Sequence, residues 1–257
     1  MGSNIILETR GLVKEFKGFV AVNDVNLKVH RGTIHALIGP NGAGKTTCFN
    51  LLTKFLEPTR GEILFDGQDI TREKPAQIAR RGVVRSFQIS STFPHMTVLE
   101  NVRVALQQTL GTMFHFWKSE RSLNQLNDRC MELLGFVGLS DFARIKAVEL
   151  PYGRKRALEI ATTLAMEPQL MLLDEPTQGM GLEDVEMITQ LIKKVAENRT
   201  VLMVEHNMGV VGTIADTITV LQFGQVIAEG PYAEVSRNPQ VLEAYMGSAD
   251  ETLVSHA

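Results

Sequence analysis

Cysteine is scarce in this chain: Cys48 and Cys130 are the whole complement in 257 residues, with no CxxC spacing and no Cys/His cluster. Neither a zinc site nor a disulfide framework is therefore indicated, and both residues read as the reduced thiols of a cytosolic protein. No stretch approaches the roughly 18 uncharged apolar residues that cross a bilayer. The start, Met1-Gly2-Ser3-Asn4 before Ile5-Ile6-Leu7-Glu8, lacks a basic segment and a long apolar run, and predicts no secretory signal. Excess charge is also missing. Twenty-six basic residues stand against 29 acidic ones, a net of −3, which argues against a nucleic-acid partner. With 44% hydrophobic and 21% charged residues, the composition is globular, and the length suits one large domain or two small ones.

Along the chain, Val25, Leu27 and Val29 alternate with polar Asn26 and Lys28, the period of a strand in a small antiparallel sheet. Thr33-Ile34-His35-Ala36-Leu37-Ile38 reads as a buried strand running into Gly39-Pro40-Asn41-Gly42, and 45–55 as a helix stopped by Glu57-Pro58. Strands are expected over 61–65, turning at Asp66-Gly67, and over 83–87. From 97 to about 166 the pattern is helical, broken at Gly111, at Gly135-Phe136-Val137-Gly138 and at Leu150-Pro151-Tyr152-Gly153. The continuous apolar runs Leu170-Met171-Leu172-Leu173 and Thr200-Val201-Leu202-Met203-Val204 look like parallel strands covered on both faces, separated by a helix over 182–198. A strand pair over 217–221 and 225–228 precedes a polar tail. The expectation is an α/β core interrupted by a helical insertion of about 70 residues.

Gly39-Pro40-Asn41-Gly42-Ala43-Gly44-Lys45-Thr46 fits G-x-x-x-x-G-K-[ST] at every fixed position, after a strand and opening a helix. Glycines let successive N–H groups turn inward around phosphate oxygens, and the helix N-terminus adds favourable partial charge. In such a loop Lys45 reaches the β and γ phosphates and the Thr46 hydroxyl ligates Mg²⁺. Downstream, Leu170 to Leu173 ends in Asp174-Glu175-Pro176. At the carboxyl edge of a parallel strand Asp174 can hold Mg²⁺, and Glu175 can act as general base or orient the attacking water. The two motifs together point to nucleoside triphosphate hydrolysis.

Three more features follow: Gln88 after the strand over 83–87, His206 after Val204-Glu205, and Leu150-Pro151-Tyr152-Gly153-Arg154-Lys155-Arg156-Ala157-Leu158-Glu159-Ile160-Ala161 between the insertion and the carboxylate pair. In this order and position they resemble the ATP-binding cassette of ABC transporters, from about residue 7 to the tail. The resemblance implies an α/β P-loop NTPase (RecA-like) core with an N-terminal antiparallel β subdomain and a helical insertion subdomain. Within one ABC ATPase domain over 1–257, the parts fall at 5–89, 90–165 and 166–257. It implies ATP and Mg²⁺ held by Gly39, Pro40, Asn41, Gly42, Ala43, Gly44, Lys45, Thr46 and Thr47, with Phe16 stacked on adenine and Thr46, Gln88 and Asp174 around the metal. Glu175, His206 and Lys45 would be catalytic, with His206 touching the γ-phosphate.

The resemblance further implies that two cassettes pack head to tail, each ATP lying between one phosphate loop and the other chain's signature, here Pro151, Tyr152, Gly153 and Arg154. The implied partners are permease transmembrane subunits, a second ATPase subunit (the same chain or a sibling) and, indirectly, a periplasmic substrate-binding protein. The place is peripheral, at the cytoplasmic face of the inner membrane. Leu-Pro-Tyr-Gly followed by Arg-Ala-Leu-Glu-Ile-Ala, together with the tail from Asn238 to Gly247, is similar to the cassettes of branched-chain or hydrophobic amino-acid importers. Related systems move urea, short amides or aromatic acids. Cassettes of exporters or lipid transporters, and soluble ABC-type ATPases, are the alternatives.

Two positions depart from the family. The usual Leu-Ser-Gly-Gly-Gln is Leu150-Pro151-Tyr152-Gly153-Arg154 here, and Gly181 stands where an aspartate is common. Both concern what the chain offers its partner's ATP, so self-hydrolysis is expected to be intact and help in trans weaker. Arg80, Arg81 and Arg85 read as a solvated charged face. Arg154, Lys155 and Arg156 do so too, with a role in the phosphate field as the alternative. The aromatic patch from Leu110 to Trp117 reads as core or as a permease contact, and Cys48 as a packed small side chain.

Overall fold

The computed structural model describes residues 4–86, 92–109 and 120–246. Its first half builds an antiparallel sheet from β1 (Ile5–Phe16), β2 (Phe19–Val25), β3 (Lys28–His30), β5 (Arg60–Phe65) and β6 (Gln68–Asp69). Val25, Leu27 and Val29 are fully buried, as their alternation requires. A second, six-stranded sheet has the order β11-β10-β4-β9-β8-β7, from β4 (Ile34–Ile38), β7 (Val83–Arg85), β8 (Leu170–Asp174), β9 (Thr200–Val204), β10 (Thr217–Gln222) and β11 (Gln225–Gly230). All neighbours in it are parallel except the β10–β11 hairpin.

The central strands feed two cores. On β4, Ile34, Ala36 and Ile38 face one core and Leu37 the other; on β9, Val201 and Met203 oppose Leu202 and Val204. This is why these runs are largely apolar on both faces, with buried His35 on β4 and Thr200 on β9 the polar exceptions. Between the two sheets lies α1 (Lys45–Leu52), which sinks Cys48, Phe49, Leu51 and Leu52 into the second core. The other core is covered by α3 (Val98–Thr109), α4 (Glu120–Phe136), α5 (Tyr152–Ala165), α6 (Leu182–Ala196) and α7 (Met208–Ile214), while α2 (Pro75–Arg80) precedes β7. On α6, Ile188, Leu191, Ile192 and Val195 form one buried stripe, with Glu183 and Asp184 in the first turn and Lys193 and Lys194 in the last, each sign matched to the helix dipole. Among the described residues no helix is long and apolar enough to cross a membrane.

Several boundaries differ from expectation. The helix over 45–55 stops at Leu52, before Pro58 can act, because Lys54 takes φ +61° and its N–H turns back to the Leu51 carbonyl, an αL stop without glycine. Gly135 does not break α4; the helix runs through it and ends against Gly138, at φ +73°. The strand over 83–87 is described only as Val83–Arg85. The tail is not merely polar: α8 (Tyr232–Val235) and α9 (Pro239–Met246) bury Val235, Val241 and Tyr245 in the large core. The patch from Leu110 to Trp117 lies outside the described residues.

Candidate functional site

β4, β9 and β8 are adjacent and parallel, so their carboxyl ends open on one edge of the sheet. That edge is where α/β sheets bind ligands. From β4 come Gly39 to Thr47, from β8 Asp174 and Glu175, and from β9 Glu205 and His206.

The loop after β4 is fixed by close backbone packing. A Cβ on Gly39 would lie 2.1 Å from the Leu221 carbonyl oxygen, and one on Gly44 would lie 2.4 Å from that of Ala21; both glycines also have positive φ. Only glycine fits. The turn of the β10–β11 hairpin clamps the loop from the side, Gly224 N–H donating to the Ala43 carbonyl at 2.9 Å. Lys45 Nζ donates to the carbonyls of Gly39 (2.5 Å) and Pro40 (3.0 Å), lying back across the loop. Pro40, Asn41 and Gly42 form the crest, with Asn41 and Gly42 exposed. α1 starts at Gly44 with no side-chain cap, so the N–H groups of Lys45, Thr46 and Thr47 point out of the helix end. The Thr46 side chain is exposed and that of Thr47 half-buried. Phe16 is 41% exposed, so it is not a strand core residue; Lys14 Nζ sits 5.1 Å from its ring centroid. Its hairpin belongs to the strand pair whose Ala21 abuts Gly44.

The carboxylate edge is held by side chains instead. Asp174 is 8% exposed and accepts from Arg85 Nη2 at 2.5 Å. The same guanidinium donates to Asn50 Oδ1 at 2.7 Å and stacks over Phe49, 5.1 Å to the centroid. Arg85 is thus part of the site and not of a solvated face. Glu175 has φ +45°, a backbone that costs a non-glycine residue about 1–2 kcal/mol. Its N–H donates to the Val204 carbonyl at 2.9 Å. Fully buried Glu205 accepts from the N–H groups of Thr177 (3.1 Å), His206 (2.9 Å) and Asn207 (3.0 Å), and from the Thr177 hydroxyl. The His206 ring is exposed and precedes α7, whose N-cap Asn207 accepts from Gly209 and Val210 N–H.

The signature segment begins α5. Pro151 is its N-cap, without a side-chain acceptor, and Gly181 caps α6 in the same way. Both departures from the family therefore fall at helix starts where serine or aspartate would cap. Gly153 packs on the Asp184 carboxylate, which would meet a Cβ at 2.3 Å. The Tyr152 hydroxyl donates to the Gln178 carbonyl at 3.1 Å, and Arg154 lies over the Phe142 ring, 4.2 Å to its centroid. Arg156 is 4% exposed, so the cluster from 154 to 156 is not one solvated face. Gln88 lies outside the described residues. The sequence pattern did not flag Arg85 or Glu205 as site residues and offered Arg156 only as an alternative within its basic run; their signal was position, a charge beside a strand end or on the inner stripe of α5.

Away from the open edge, His35 on β4 bonds Thr219 Oγ1 at 2.8 Å, and Thr219 donates to Glu229. Burial pulls the His35 pKa down to about 4. Burial pushes the Cys48 thiol up to about 12 and that of Cys130 up to about 11, so both are inert packing groups.

A glycine cradle at a helix start, beside a carboxylate pair on a parallel sheet edge, defines a nucleoside triphosphate site. Comparison with known proteins narrows the class. Residues 22–178 match the family model described as ABC transporter, and residues 225–251 match that of the branched-chain amino acid ATP-binding cassette transporter. The high-affinity branched-chain amino acid transport ATP-binding protein BraF of Pseudomonas aeruginosa is 41% identical, over 96% of this chain and 100% of its own length. LivG of Escherichia coli, named in the same words, is 40% identical over the same shares. The crystal structure of the ADP conformation of MJ1267, an ATP-binding cassette of an ABC transporter, superposes with a TM-score of 0.84 at 31% identity, over 95% of this chain and 100% of the other. The chain belongs to the ATP-binding cassette family of ABC transporters, ATPases that hydrolyse ATP to power transport. Cassettes of this kind also occur as dimers; one solved dimer, bound to ADP and Pi, aligns at a TM-score of 0.73 and 27% identity over 88% of this chain and 99% of the other.

Proposed function

We propose that this chain is the ATP-hydrolysing subunit of an importer for branched-chain or other hydrophobic amino acids. What carries the reading is likeness along the whole chain to transport subunits of that kind, reinforced by the tail's match over 225–251. It would act on the cytoplasmic face of the membrane, docked on permease subunits that a periplasmic binding protein supplies, and paired with a second ATPase subunit.

In this reading the triphosphate lies along Gly39 to Thr47, its charge met by N–H groups of the loop and of the α1 start. Lys45 leaves the Gly39 and Pro40 carbonyls to reach the β and γ phosphates. Phe16 offers its ring to adenine. The oxygens near the loop suit Mg²⁺, which takes few protein ligands beside phosphates and water: Thr46 hydroxyl and Asp174 carboxylate, with Gln88 the third candidate. Held by these residues, Mg²⁺ would supply positive charge against the negative charge of the reacting phosphates. Glu175 takes a proton from the attacking water or orients it, and His206 contacts the γ-phosphate. The partner's signature residues, equivalent to Pro151, Tyr152, Gly153 and Arg154, close the far side.

The test is uptake of radiolabelled leucine, isoleucine and valine in cells lacking the chain, with urea and short amides alongside. Loss of branched-chain uptake, restored by the wild-type chain and not by Glu175→Gln, is the expected outcome. Unchanged uptake of all three with loss of amide or urea transport would reassign the substrate. Recovery of the chain without permease subunits from solubilised membranes would remove the transport role.

A further inference from the structure

The loop after β8 is gripped from two sides, and one grip comes from the signature helix. Arg156 on α5 is buried and its guanidinium spans three acceptors: Nη2 donates to the Glu175 carbonyl at 2.9 Å, Nε to the Pro176 carbonyl at 3.1 Å, and Nη1 to Glu159 Oε2 at 2.7 Å. Glu159, one turn along the same helix, is equally buried; its other oxygen has no partner among the described residues, so its one bond serves to aim the guanidinium. Tyr152, at the first turn of α5, holds the Gln178 carbonyl. On the far side Glu205 holds Thr177 and, through its second oxygen, the N–H groups of His206 and Asn207.

Glu175 is the residue in this loop with the unfavourable left-handed backbone. Such a conformation persists only when its surroundings over-determine it. Its carbonyl is held by Arg156 and by Gln178 N–H at 3.2 Å, and its N–H by Val204. Of these holds only Arg156 comes from another element's side chain. A planar guanidinium that cannot lose its charge suits a site with three fixed acceptors, where an ammonium would reach one or two.

We infer that Arg156 is a positioning residue for Glu175: it fixes the left-handed turn that aims the carboxylate, and ties that aim to the placement of the signature helix. The inference rests on the proposed role of Glu175 in hydrolysis.

The test compares the full-length wild type with Arg156→Lys, which keeps a cation beside Glu159, and with the double variant Arg156→Met, Glu159→Leu, which removes both buried charges together. Measured are kcat and KM for MgATP, nucleotide affinity by titration calorimetry, melting temperature, and hydrogen exchange of the segment 175–178. Expected for each folded variant are affinity and KM within about twofold of wild type, kcat down at least tenfold, and faster exchange at Gln178 N–H. A kcat within twofold of wild type in either folded variant overturns the inference. So does a parallel fall in kcat and affinity, which a general loosening of the fold would give. Glu175→Gln is assayed alongside: normal turnover there sinks the role of Glu175 and Arg156's with it. A dead Glu175→Gln beside a fully active Arg156→Lys removes Arg156 alone.

Discussion

The two halves of the proposed nucleotide site are built by different physics. The phosphate loop is held by contact: glycines pressed on the carbonyls of Ala21 and Leu221, and a hairpin clamping Ala43. The carboxylate half is held by buried and half-buried charge: Arg85 on Asp174, Arg156 on the Glu175 and Pro176 carbonyls, Glu205 on Thr177, His206 and Asn207. Steric packing gives a cradle with one shape. Hydrogen-bonded charges give a loop whose position follows the elements that carry them.

The contrast is broken most severely at the cradle. Gly39→Ala drives a methyl group into the Leu221 carbonyl and is expected to cost roughly 2–4 kcal/mol of stability, together with nucleotide affinity; Lys45→Ala is expected to lose affinity alone. Urea unfolding and titration calorimetry separate the two, and a fully stable Gly39→Ala would show the loop to be softer than its contacts imply. On the carboxylate side, Glu175→Gln is expected to keep binding and lower kcat by about 100-fold, or roughly 2.7 kcal/mol.

Glu205→Ala strips four donors of their acceptor and should cost about 3 kcal/mol, with Glu205→Gln recovering part of it; equal melting temperatures for the three proteins would refute the buried-charge account. The strand beneath the cradle carries its own pH signature. The unfolded chain protonates His35 near its ordinary value of 6.5, whereas the folded chain resists until about 4. The folded state therefore binds fewer protons in that window. Its stability from this group is complete above 6.5 and falls by about 3 kcal/mol as pH drops to 4. Denaturant midpoints of wild type and His35→Leu across that window provide the check, the variant's slope being shallower.

The smallest effect is at Pro151. Pro151→Ser supplies the missing cap of α5 and is expected to add about 0.5–1 kcal/mol. It should also raise ATPase activity of the assembled dimer if a signature hydroxyl limits help in trans; unchanged activity would leave the proline without a functional cost.

Much of the cradle was legible because its determinants are local. A buried strand, glycines at fixed offsets, and Lys45-Thr46 at a helix start need no distant partner to be recognised, and the same holds for the apolar runs that became β8 and β9. The αL stop at Lys54 was not legible, since any residue can take that conformation when neighbouring carbonyls reward it. Nor was the docking of α8 and α9, whose few apolar side chains are spaced among polar ones. Arg85 and Arg156 looked like members of exposed basic runs, although one faces Asp174 across adjacent strands and the other a loop some twenty positions downstream.

The amino-acid order by itself determined the glycine loop, the parallel strands beneath it and the place of the carboxylate pair beside it, because each is written in a short local stretch; the left-handed turn at Glu175 is not. Only tertiary structure decided which charges turn inward to hold that pair, since a cation's choice between water and a buried carbonyl depends on what the fold brings within three ångströms of it.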